Sequence, residues 1–76
     1  MIKITNEFRR IRKEKKLTQA QIGERTGWAQ SRVAEFENGR YKVENITLGN
    51  AIALANALGC TLDEVFTIND EETVNE

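Results

Sequence analysis

The sequence predicts an all-α fold, a compact bundle of five short helices in one domain. Three observations carry that expectation. Apolar residues recur at spacings of three and four, the period of one helix face. Thr18, Thr47 and Thr61 stand where helices would begin, and Gly27, Gly39 and Gly59 where they would end. No stretch reads as a strand, none repeats, and no linker divides the 76 residues. The domain is expected to span 1–66, with an acidic, frayed tail over 67–76.

Ile4, Phe8 and Ile11 predict an amphipathic first helix over about residues 4 to 15, basic on its outer side and closed by Leu17. Thr18-Gln19-Ala20-Gln21 reads as a capping box, so a second helix starts at Gln19, and Gly27 ends it where a positive φ is needed. In a third helix Val33 and Phe36 share one face, while Ser31, Ala34, Glu35 and Asn38 take the opposite one. Asn38-Gly39 ends that helix, and Arg40 to Ile46 forms a loop. Thr47 caps a fourth helix whose residues Leu48 to Leu58 are apolar nearly all round, which predicts a central, buried element stopped by Gly59. Thr61-Leu62-Asp63-Glu64 is a second capping box, opening a short fifth helix with Leu62, Val65 and Phe66 turned inward.

Composition excludes several functions. The lone Cys60 has no internal disulfide partner, and the absence of His removes the commonest metal ligand and general base. No metal site, cofactor or catalytic residue is expected: Ser31 is the only serine, and nothing activates Cys60. No segment has the ~18 consecutive apolar residues of a membrane span, and Met1 to Lys16 is charged where a signal peptide needs an apolar run, so an intracellular soluble protein is expected. Asn45-Ile46-Thr47 fits the glycosylation pattern but lacks a secretory route.

The formal net charge of −1 conceals a segregated pattern. All eleven Lys and Arg lie in residues 1–42 beside five acids, a balance of +6, whereas 43–76 holds seven acids and no base. A basic binding face with an acidic back has this distribution, and so has a chain with one merely solvated basic helix. A core this small buries only roughly 60% of the unfolded surface, which favours self-association.

The unit from Gln19 to Asn38 is the most specific feature. Two helices joined by a turn of three or four residues need a small side chain at their crossing, a positive-φ residue in the turn and an apolar anchor on the second helix. Gly23, Gly27 and Val33 fill those places, and Ile22, Trp28 and Phe36 add apolar contacts. With Leu17-Thr18-Gln19-Ala20, the turn Gly27, the run Glu35-Phe36-Glu37-Asn38-Gly39, and Ala57-Leu58-Gly59 before Leu62-Asp63-Glu64-Val65-Phe66, the chain resembles the phage-repressor and Cro-like (XRE-type, lambda-repressor-like) helix-turn-helix family over about residues 5 to 66.

That resemblance implies a non-enzymatic transcriptional regulator, a repressor, of bacterial or phage origin, acting in the cytoplasm on nucleoid DNA. It implies that the third helix enters the major groove and that a homodimer binds double-stranded DNA at an inverted repeat. It places Gln30, Ser31, Arg32 and Glu35 at base-reading or groove-lining positions and Asn38, Arg40 and Lys42 at the backbone. Gln pairs with adenine, Arg with guanine, and Glu accepts from cytosine. Gln19 stands at a helix start, where free N–H groups suit a phosphate. Glu35 reads either as a repulsive specificity element or as a solvated acid. Arg12 and Glu37 match a structural ion pair of the family, and Trp28, at a position usually held by Val, reads as core rather than as a base-stacking residue. Asp63 and Glu64 read as first-turn capping acids. Ala29 departs from the pattern, standing where Ser or Thr commonly caps the third helix, and the loop after that helix lacks the family's frequent Pro. The alternative function is an antitoxin-like interaction module, with the acidic stretch Asp63 to Glu76 engaging a protein partner and DNA binding secondary.

Overall fold

The computed structural model describes residues 2–70. It contains the five expected α-helices: α1 Phe8–Glu14, α2 Gln19–Thr26, α3 Gln30–Glu37, α4 Leu48–Leu58 and α5 Leu62–Val65. A single 3-10 turn, Val43–Asn45, interrupts the loop before α4. The departure from the all-α expectation is small but real. Ile2–Asn6 and Phe66–Asp70 are strands, β1 and β2, paired antiparallel with Ile4 opposite Ile68 and Asn6 opposite Phe66.

This ribbon corrects two expectations. The first helix starts at Phe8 rather than near residue 4, because Asn6 accepts the Phe8 N–H through Oδ1 at 2.9 Å and so marks the helix start from outside. Residues 67–70, expected in a frayed tail, are paired with β1; the rest of that tail, 71–76, lies outside the described residues. The Glu7 N–H donates to the Val65 carbonyl at 2.8 Å, joining the end of α5 to the start of α1.

Local signals fix the other boundaries. Thr18 accepts the Gln21 N–H, and Gln21 Oε1 accepts the Thr18 N–H at 2.8 Å, a reciprocal box opening α2. Thr47 caps α4 through the Asn50 N–H. At α5, Glu64 reaches back to the Thr61 N–H at 2.8 Å, and that bond, with a second from the Thr61 hydroxyl, holds its carboxyl below the usual range. Gly27 and Gly59 end α2 and α4 with φ of 81° and 72°. No glycine ends α1: Lys16 takes the left-handed conformation, with its own N–H bonded to Lys13 O and that of Leu17 to Arg12 O.

Phe36 is the hub of the core. Phe8, Trp28 and Phe66 meet it edge to face, with ring centroids 5.6, 6.1 and 6.3 Å away. Ile22, Val33, Leu54, Leu58 and Val65 close the interior around them. Arg25 Nη1 donates to Ala57 O at 2.7 Å, tying α2 to α4.

Two inward assignments are overturned. Helix α4 buries Ala51, Leu54, Ala55, Ala57 and Leu58 but leaves Leu48 66% and Ile52 44% exposed. Leu62 is 37% exposed instead of inward. The domain is too thin to cover α4 on every side, so an all-round apolar helix presents one stripe to solvent.

Candidate nucleic-acid interface

Helices α2 and α3 meet at Gly23. A Cβ built on Gly23 would lie 2.7 Å from the Trp28 carbonyl oxygen, so only a residue without a side chain lets the turn pass this close. Val33 and Phe36 then bury one face of α3, leaving Gln30, Ser31 and Arg32 exposed along its first turn. Ala29 supplies no side-chain cap, and its carbonyl accepts the Arg32 and Val33 N–H groups at 3.0 and 3.2 Å.

A buried ion pair holds the unit to α1. Arg12 binds Glu37 with both ends of its fork, Nε to Oε2 at 2.5 Å and Nη2 to Oε1 at 3.0 Å, and its Nη1 donates to Leu17 O at 2.7 Å. Gln19 joins this network: its Nε2 donates to Glu37 Oε1 at 3.1 Å. The Gln19 side chain is thus engaged in the α1–α3 contact.

The other two charged residues of α3, Arg32 and Glu35, have aromatic partners. The Arg32 guanidinium lies over the Trp28 ring, 3.9 Å from its centroid. Trp28 is therefore core on one edge, against Phe36, and a platform on its outer face. Glu35 Oε1 accepts from the Tyr41 hydroxyl at 3.0 Å, and the carboxylate holds the Tyr41 phenol above its ordinary value. Arg40 and Lys42 flank Tyr41 and, with Trp28, Arg32 and Asn50, line an open recess of about 630 Å³ beside α3. Asn38 sits exposed at the end of that helix.

Gln30, Ser31, Arg32, Glu35, Arg40 and Lys42 thus lie on α3 and the loop that follows it, and Gln19, at the start of α2, is tied to the end of α3 through Glu37. Tyr41 was not singled out by the sequence reading. It lies beyond Gly39, whose φ of 80° reverses the chain, so helical spacing counted from Glu35 does not reach it. An aromatic set between two cations, Arg40-Tyr41-Lys42, was the available signal.

Comparison with known proteins agrees with this geometry. A helix-turn-helix family model matches residues 8–65. An uncharacterised HTH-type transcriptional regulator, y4dJ, of Sinorhizobium fredii is 38% identical over 68 residues, covering 90% of this chain and 84% of that protein. The immunity repressor protein of Bacillus phage phi105 is 38% identical over 71 residues, 93% of this chain but 45% of the repressor.

Proposed function

We propose that this chain, which belongs to the XRE-type helix-turn-helix family of DNA-binding proteins, is a sequence-specific transcriptional repressor that binds an inverted-repeat operator as a homodimer. The observation that carries this reading is the two-sided α3. Its Val33 and Phe36 are locked into the core, and its Gln30, Ser31 and Arg32 are free to enter a major groove. In this reading Gln30, Ser31, Arg32 and Glu35 meet base edges, whereas Asn38, Arg40, Lys42 and the N–H groups at the start of α2 meet phosphates. Both similar proteins carry regulator or repressor in their names, which supports a role in transcription in a bacterial or phage-infected cell.

A second copy would pack on an apolar groove that adjoins the recess beside α3 at Ile46. Leu48, Ile52, Leu62 and Ile68 are four of the five large hydrophobic side chains exposed among the described residues. Leu48, Leu62 and Ile68 share a groove with Ile4, Ile46 and Phe66. Covering that groove in a two-fold dimer removes it from water and leaves one α3 per subunit for each half-site.

The base-reading assignment is tested by Gln30→Ala. Affinity for a duplex selected by the wild-type protein should fall by ~1–3 kcal/mol, with preference relaxed at one base pair. Affinity for a scrambled duplex should stay unchanged. An equal loss on both duplexes would assign Gln30 to positioning instead.

A further inference from the structure

We propose that Tyr41 is a positioning residue for DNA sequence preference, acting through Glu35. This inference rests on the reading of α3 as the base-contacting helix. Arg32 and Glu35 are three residues apart on that helix, a spacing at which opposite charges ordinarily pair with each other. Such a pair would consume both the donors and the acceptor that α3 has to offer. Among the described residues the ion pairs are Arg10 with Glu7 and Glu14, and Arg12 with Glu37; Arg32 and Glu35 do not join them. Each is drawn to an aromatic partner instead, Arg32 onto the Trp28 face and Glu35 to the Tyr41 hydroxyl.

The consequence for recognition follows from which atoms are used. Stacking occupies the flat face of the guanidinium and leaves its in-plane N–H fork for an acceptor pair such as guanine O6 and N7. The Tyr41 hydroxyl takes Glu35 Oε1 and leaves Oε2 to accept from a donor such as the cytosine amino group. The loop geometry makes Tyr41 a fixed partner. Gly39 takes the left-handed conformation, and the Arg40 N–H donates to the Glu35 carbonyl at 2.9 Å, so the chain returns beside the side chain it restrains. Without the hydroxyl, Glu35 is released toward Arg32, and both lose their orientation.

The test compares the wild-type chain, Tyr41→Phe, Glu35→Ala and the double variant. Each is given a pool of DNA duplexes with a randomised central segment, and the bound fraction is sequenced; affinity for the unselected pool and thermal melting are measured alongside. Tyr41 is 49% exposed, so the Phe variant should melt with the wild type. It should bind the unselected pool within about twofold. Its preference should fall about tenfold at the base pairs that Glu35→Ala relaxes, the scale of one lost base contact. In the Glu35→Ala background, Tyr41→Phe should add nothing. A Phe variant that enriches the wild-type sequence as strongly as the wild type overturns the proposal. So does an equal loss on selected and unselected DNA, or an additive double variant. A wild-type chain that enriches no sequence overturns the base-reading of α3 and this proposal together, an outcome distinct from the other three.

Discussion

Gly23 and Gly49 are both helical, yet their surroundings oppose each other. A methyl group at Gly23 would strike the Trp28 carbonyl at 2.7 Å, and at Gly49 it would meet nothing within 4 Å. Overpacking against a backbone atom costs ~1–3 kcal/mol, of which better helix propensity offsets up to ~1. Gly23→Ala should therefore lower stability to urea by about 1–2 kcal/mol, and Gly49→Ala, near the start of α4, should raise it by ~0.5 kcal/mol. A Gly23→Ala variant as stable as the wild type would mean that the α2–α3 turn can open without loss. The need for a small residue at Gly23 was legible because two helices joined by so short a turn must touch. The partners of Arg32 and Glu35 were not, since a sequence does not say which of several polar neighbours a long side chain will choose. Gln19 shows the same limit: its place at a helix start says nothing of its side chain, whose amide binds Glu37, eighteen residues away.

Helix boundaries were the most readable level of the structure, because caps are local chemistry. Thr18 with Gln21, Thr47 with Asn50, and the left-handed Gly27 and Gly59 lie where spacing alone placed them. The β-ribbon went unread for a reason that its residues display. Ile2-Lys3-Ile4-Thr5 alternates with period two, but Ile4, Phe8 and Ile11 also satisfy a helical period, and the longer pattern prevailed. What decides between them is pairing with residues 66–70 at the other end of the chain, which no local window contains. Helix α3 is the element whose start lacks a cap. Ala29 has the extended conformation of an N-cap, φ −65° and ψ 147°, and no side-chain acceptor. Ala29→Ser should supply one to the Arg32 N–H and stabilise the domain by ~1 kcal/mol, a rise in Tm of roughly 4–8 °C at this size. Thermal melting monitored by circular dichroism measures it. An unchanged Tm would mean that the bond from the Arg32 N–H to the Ala29 carbonyl, 3.0 Å long, already satisfies the turn.

At the scale of the whole molecule, two surfaces face different tasks. The described bases and the polar side of α3 belong to the +6 half of the chain, and α4, α5 and β2 belong to the half without a base. On the proposed reading, a net charge of −1 is no bar to DNA, because the bases are concentrated in the half of the chain that carries α3. The second surface is apolar, formed by Leu48, Leu62 and Ile68 around Ile4 and Phe66. It was hidden from the sequence reading because an apolar helix of eleven residues looks buried on every side until the thickness of the rest of the domain is known. The proposed complex joins the two surfaces: two copies held by the apolar groove, with their α3 helices in successive major grooves about 34 Å apart. Sedimentation equilibrium of the chain with a duplex carrying its selected sequence measures this directly. The predicted result is two chains per duplex, lost on Leu48→Lys while one-to-one binding to a half-site duplex survives. Saturation at one chain on the full site, or two chains bound equally well to a scrambled duplex, would contradict it.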